Sequence, residues 1–142
     1  MADRRYELRL EAPMKPRGLW ARGVWESREV VYLCGTLGLE FDLWQRHRSA
    51  VSAADAYLSQ QIGLEAIERE MDRLEEEARQ AIEKDGKHLR PRWSPGYGNR
   101  PLELSREILE KLDATRRIGV SLTDSLLLVP SKSVTAICEV VE

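Results

Sequence analysis

The sequence predicts one α+β domain built on a twisted antiparallel or mixed sheet, with one long helix and shorter flanking helices. Three observations carry this expectation. Apolar, β-branched runs occupy 29–36 and 133–141, helical periodicity fills the middle of the chain, and strands do not alternate with helices as parallel βαβ units would. The 142 residues suit a single domain, read here as 1–142. With 42% apolar and 32% charged residues the chain can bury a core without staples and is too apolar for a disordered segment. Its 24 acidic and 22 basic residues leave a net charge of −2, which gives no footprint for nucleic acid or an acidic membrane. No apolar run is long enough to span a bilayer, and Met-Ala-Asp-Arg-Arg lacks the features of a signal peptide, so a cytoplasmic protein is expected. Cys34 and Cys138 each sit in an apolar strand-like run and read as buried thiols.

The elements follow in order. Tyr6, Leu8 and Leu10 alternate with Glu7, Arg9 and Glu11, the pattern of a half-buried strand that Pro13 and Pro16 then interrupt. Trp20, Val24 and Trp25 belong to a less regular stretch ending near Glu26 and Ser27. Glu29 to Thr36 reads as a strand covered on both faces, ended by Gly35 and Gly38. Leu39 to Ala50 reads as a short amphipathic helix with Leu39, Leu43, Arg46 and Ala50 on one face.

Ser52, with Asp55 three residues on, marks the start of a long helix from about Ala53 to Lys84. Its apolar stripe is Leu64, Ile67, Met71, Leu74, Ala78 and Ala81, and its solvated face is strongly charged. Asp85-Gly86 closes it, Gly86 being able to adopt the left-handed conformation. Residues 87–101 hold three prolines and two glycines, too many breakers for regular structure. A further helix begins near Ser105, its predicted N-cap, with Ile108, Leu109 and Leu112 facing inward. Ser125–Val129 and Ser133–Val141 read as strands, with Pro130-Ser131 as a turn or bulge between them. The expected order is β-β-α-α-loop-α-β-β.

Conventional catalytic constellations are missing from the sequence. His47 and His88 have no partner at a metal-binding spacing, and no nucleophile elbow, P-loop or dinucleotide fingerprint occurs. A binding module is the better starting reading. The informative stretch is Arg92-Trp93-Ser94-Pro95-Gly96-Tyr97-Gly98-Asn99-Arg100-Pro101. Arg92 offers a planar fork for a carboxylate, Trp93 and Tyr97 offer flat faces, and Gly96 and Gly98 let main-chain groups approach a ligand. Pro95 and Pro101 restrict the loop and lower the entropy lost on binding. Residue chemistry alone leaves two readings open: a ligand loop, or an irregular loop that serves packing and turning.

The run RPRWSPGYGNRPL, the helix SREILEKLDA and the segment IGVSLTDSLLLVPSKSVTAI together resemble the activation (reactivation) domain of cobalamin-dependent methionine synthase. The R-x-x-x-G-Y element is here Arg92, Gly96 and Tyr97, while Leu122-Thr123-Asp124-Ser125 and Pro130-Ser131-Lys132-Ser133-Val134 match two later elements. CGTLG and DAYLSQQIGLEAIERE extend the likeness, which covers roughly residues 30–138.

The resemblance implies an α+β domain around a twisted antiparallel sheet. It implies S-adenosylmethionine bound in a shallow groove by Arg92, Pro95, Gly96 and Tyr97, with Glu68 on the long helix near the ligand's amino end. It also implies a corrinoid partner, a methionine synthase or another corrinoid protein. Its cobalamin, once oxidised to cob(II)alamin, is remethylated with an electron from flavodoxin or a ferredoxin-like donor. The chain has no D-x-H-x-x-G motif, so the cobalamin is expected on another chain. A stand-alone accessory module of a methyltransferase is the first reading, and a shortened relative that docks without binding S-adenosylmethionine is the second.

Overall fold

The computed structural model describes residues 2–97 and 100–142. Helix α1 (Ala2–Glu11) precedes a hairpin of β1 (Arg17–Trp25) and β2 (Arg28–Thr36), followed by α2 (Leu39–Val51) and α3 (Ala53–Lys84). The two-residue β3 (His88–Leu89) leads through an irregular segment to α4 (Leu104–Leu112) and α5 (Ala114–Ile118). A small hairpin of β4 (Ser121–Leu122) and β5 (Leu128–Val129) comes before β6 (Ser133–Val141). The main sheet runs β1-β2-β6-β3 and every pairing in it is antiparallel.

Helices cover both faces of the sheet. On one, Val31, Leu33, Ala136 and Cys138 pack against Met71, Leu74, Ala78 and Ile82 of α3. On the other, Val30, Tyr32, Cys34 and Ile137 pack against Leu104, Ile108, Leu109 and Leu112 of α4. This explains why β2 reads as a continuous apolar run, for both of its side-chain rows are buried. Gly35 lies within the strand and does not end it. A Cβ there would stand 2.8 Å from the Met71 sulfur, so the glycine lets α3 approach the sheet. Cys34 and Cys138 are fully buried, and burial pushes both thiols up to about 12.

The long helix is as expected. The Ser52 hydroxyl accepts the Asp55 N–H at 3.0 Å, and Gly86 just beyond the C-terminus has φ +76°. Its stripe is corrected in part. Leu64 is 43% exposed and Ala81 half-buried, while Leu58, Ile62 and Ile82 are buried, because the N-terminal turns pack against α1 and α2 and only the later turns cross the sheet.

Other expectations change more. Residues 2–11 are helical, not extended. Ala, Arg, Glu and Leu are strong helix formers, and a helix that inserts one side chain needs no apolar stripe. Leu8 is that side chain, buried among Leu37, Phe41, Leu58, Ile62 and Ile67, while Tyr6 and Leu10 face solvent. The stretch with Trp20, Val24 and Trp25 is a regular nine-residue strand. In α2, Leu39 and Leu43 are exposed and the buried anchor is Phe41. Helix α4 begins after Glu103, and Ser105 lies inside it with its hydroxyl 3.0 Å from that of Thr135. Of Ser125–Val129 only the last two residues pair as strand. Within 87–101, residues 88–89 pair with β6, and Trp93 forms a bridge with Ile137.

Candidate functional site

Arg92 is delivered by the sheet edge. Arg90 N–H donates to Glu139 O at 2.9 Å, and Trp93 and Ile137 exchange bonds of 3.0 and 2.9 Å, so residues 88–93 run along β6. Trp93 meets Trp25 in a tilted pair with ring centroids 5.3 Å apart, and the Arg100 guanidinium lies 4.3 Å above its ring. From this anchored backbone the Arg92 side chain crosses to α3. One terminal nitrogen donates to Asp72 at 2.9 Å and Glu75 at 2.7 Å, and the other to Glu68 at 2.8 Å.

The three acids stand at i, i+4 and i+7 of α3, along one side of the helix. Glu75 is nearly buried and also meets Arg79, whereas the Glu68 and Asp72 side chains are 66% and 70% exposed. Partial burial of Arg92 works against its charge, but the bonds to Asp72 and Glu75 and the attraction of Glu68 outweigh it, and the guanidinium is held cationic more firmly than usual.

Three residues further on, the backbone turns. Gly96 takes φ +95°, a conformation that suits glycine, and its N–H donates to Arg100 O at 2.9 Å. Pro95 is buried beneath the turn and Tyr97 projects 71% exposed at its tip. Pro95 and Tyr97 form one wall of an open groove of about 420 Å³. The Leu126–Leu128 segment forms another wall, and Ser133, Val134 and Thr135 of β6 lie at its base. Leu126 holds φ +66°, an unusual conformation for a leucine, in a turn closed by bonds between Thr123 and residues 126 and 127. Lys132 is drawn away from the groove: its ammonium donates to Gln45 at 3.2 Å and Gln60 at 2.9 Å, and burial lowers its pKa.

The five expected site residues therefore form two separate groups, and neither Arg92 nor Glu68 lines the groove. Glu68 and Arg92 are in contact, Pro95 and Tyr97 line the groove, and Gly96 shapes the turn between the groove wall and the loop tip. Asp72 and Glu75 were not among the expected residues, although their spacing from Glu68 places them on its side of the helix. Gly98 and Asn99, singled out with the loop, lie outside the described residues.

Among solved structures, the MetH reactivation domain bound to AdoHcy matches 97% of this chain, with a TM-score of 0.61 and 17% identity. The fold is that of a reactivation domain. The match extends over 65% of the other chain, so this chain corresponds to about two thirds of that structure. At 17% identity the reactivation-domain likeness rests on architecture. No protein-family model and no curated protein matches the sequence. Among the described residues, no helix is long and apolar enough to cross a membrane.

Proposed function

We propose that the chain is an S-adenosylmethionine-binding module that presents the ligand's methyl group to cobalamin on a separate corrinoid protein, serving its reductive reactivation. The observation that supports this best is the fold shared with the reactivation domain, combined with one short segment that holds Arg92, paired with Glu68, and, a few residues on, Pro95 and Tyr97 on the wall of a shallow groove. S-adenosylmethionine carries a carboxylate, an ammonium and a sulfonium. A guanidinium suits the first, and carboxylates suit the other two.

In this reading binding proceeds by exchange. Arg92 already meets three acids, so a ligand carboxylate has to take the place of Glu68 or Asp72, both largely exposed. Glu75 remains as the buried anchor that keeps the guanidinium aimed. In this reading Glu68, once displaced, turns to the ligand's positive groups. Because Glu68 and Asp72 are largely exposed, water already competes for these two bonds, although the guanidinium itself is mostly buried.

The open groove suits a methyl that must leave the protein. Cobalamin supplies the metal nucleophile when the partner brings it, and this chain's residues bind, orient and expose the sulfonium. No acid or base is required of them, because positioning is the contribution. The partner is then a cobalamin-dependent methionine synthase or another corrinoid protein, and a flavodoxin or ferredoxin-like protein supplies the electron.

The saturation of Arg92 favours the second reading, docking on a corrinoid protein without S-adenosylmethionine. Calorimetry decides between them. The first reading expects heat with S-adenosylmethionine and AdoHcy, and methylcobalamin regained by the cob(II)alamin partner when reductant, ligand and this chain are added. No heat at millimolar ligand, with partner binding retained, leaves only the docking role.

A further inference from the structure

The main sheet ends in two unlike edges. On one side β3 is only two residues long, a protected edge. On the other, β1 runs for nine residues, and among the described residues no strand lies beyond it. The turn residues Glu26 and Ser27 both have positive φ, so the hairpin is a two-residue one closed by Trp25 and Arg28. In such a hairpin the closing pair exchanges both hydrogen bonds, and alternate residues follow. Arg17, Leu19, Ala21 and Gly23 therefore bond to β2, while Gly18, Trp20, Arg22 and Val24 turn their N–H and C=O groups outward. The Val24 carbonyl accepts the Tyr32 hydroxyl at 2.8 Å. Among the described residues, no backbone bond from outside the hairpin reaches the other outward groups.

We propose that β1 pairs with β1 of a second copy of this chain, antiparallel and about a two-fold axis at Ala21, joining two sheets into one. The strand sequence RGLWARGVW is complementary to itself in that register. Gly18 faces Val24, Leu19 faces Gly23, Trp20 faces Arg22 and Arg17 faces Trp25, so bulky side chains meet small ones and each arginine meets an indole. Hydrogen-bond parity agrees, because Gly18, Trp20, Arg22 and Val24 are opposed only by one another. Neighbouring registers of the same parity are worse. One sets Arg22 against Arg22, and the other sets Pro16, which lacks an N–H, against Val24.

Charge does not oppose the contact. Arg22 is already paired with Glu29 and Asp85 of its own chain. Arg92 lies at the far edge of the sheet, beyond β3, so the dimer leaves both candidate sites open. The interface is isologous and closed, as a two-fold dimer requires.

Sedimentation velocity on the whole chain from micromolar to near-millimolar concentration should show a monomer–dimer equilibrium. Ala21→Cys should form an intermolecular disulfide under oxidised glutathione, since facing residues of a non-hydrogen-bonded pair lie about 4.5 Å apart between Cα atoms. The resident cysteines are fully buried and should not compete. Val24→Pro removes an outward N–H without touching the β2 ladder, and should yield a folded monomer with unchanged far-ultraviolet dichroism. A chain that stays monomeric throughout the range overturns the proposal. So does a dimer that survives Val24→Pro while Ala21→Cys fails to cross-link.

Discussion

Helix α3 holds its partners in two different ways. Its C-terminal half lies on the sheet through Met71, Leu74, Ala78 and Ile82, all essentially without solvent contact. Its flanks add charge contacts, to α1 beside the buried Leu8 and to the Arg92 segment. Arg4 grips Asp55 with two bonds of 2.5 and 3.0 Å, Arg5 and Arg9 share Glu65, and Arg92 bridges Glu68, Asp72 and Glu75. Apolar burial cannot be exchanged without opening the fold. An exposed ion pair can pass to a ligand or to water at little cost. The contacts of Arg92 with Glu68 and Asp72 are the exchangeable ones that the proposed binding would use.

The largest effect should come from the apolar side. Leu74→Ala leaves a cavity between α3 and the sheet and should cost about 2–5 kcal/mol, seen as a lower denaturation midpoint with an unchanged slope. A loss confined to a few tenths would mean that the helix is not anchored there.

Next is Arg92→Ala. Its effect on folding should be smaller than that of Leu74→Ala, because two of its three partners are exposed and the nearly buried Glu75 keeps Arg79, while S-adenosylmethionine binding should weaken by about 1.5–3 kcal/mol, or roughly 10- to 150-fold. Comparing calorimetric affinity with the melting curve separates the two. A large stability loss with unaltered affinity would reverse the contrast.

A related contrast governs what could be read from the sequence. Elements held by apolar burial announced themselves: β2 by its unbroken run, α3 by its Ser52 cap and Gly86 stop, β6 by its β-branched residues. Elements anchored by a single buried side chain did not. The alternation of Tyr6, Leu8 and Leu10 points to a strand, while what fixes α1 is distant in sequence: the cluster that takes Leu8, and Asp55, 51 residues from Arg4. Phe41 anchors α2 where Leu39 and Leu43 were expected, since the packing of α1 and α3 around it decides which side is inward. At the site, Arg92, Gly96 and Tyr97 were legible as a motif and Glu68 by resemblance. Asp72 and Glu75 were hidden among the many acids of α3, and the groove wall at Leu126 depends on a turn that propensity does not reveal.

Lowering the pH should loosen α1 before the sheet. The bonds from Arg4 hold the Asp55 carboxyl below the usual aspartate range. A depressed native pKa contributes stability above the unfolded value near 4 and loses it as pH falls through the native value. Amide protection in residues 2–11, taken relative to intrinsic exchange at each pH, should therefore fall below about pH 4, and Asp55→Asn should lower it already at pH 7. Uniform exchange across α1 and β2 in that variant would mean that α1 is not a separable unit.

The smallest change tests the direction of the exchange itself. Glu68→Gln removes one of three acids from Arg92 and leaves a neutral amide of the same shape. The Glu68 side chain is 66% exposed, so stability should move by less than about 1 kcal/mol. Two opposed effects then act on binding. Arg92 becomes easier for a ligand carboxylate to reach, while the ligand's ammonium and sulfonium lose a counter-charge. If Glu68 turns to the ligand, the second effect dominates, and S-adenosylmethionine should bind about two- to fivefold more weakly, equivalent to roughly 0.4–1 kcal/mol. AdoHcy lacks the sulfonium and should lose less. If the variant instead binds both ligands more tightly, Glu68 is only a competitor for Arg92, and the ligand's positive end must be met by another acid of α3.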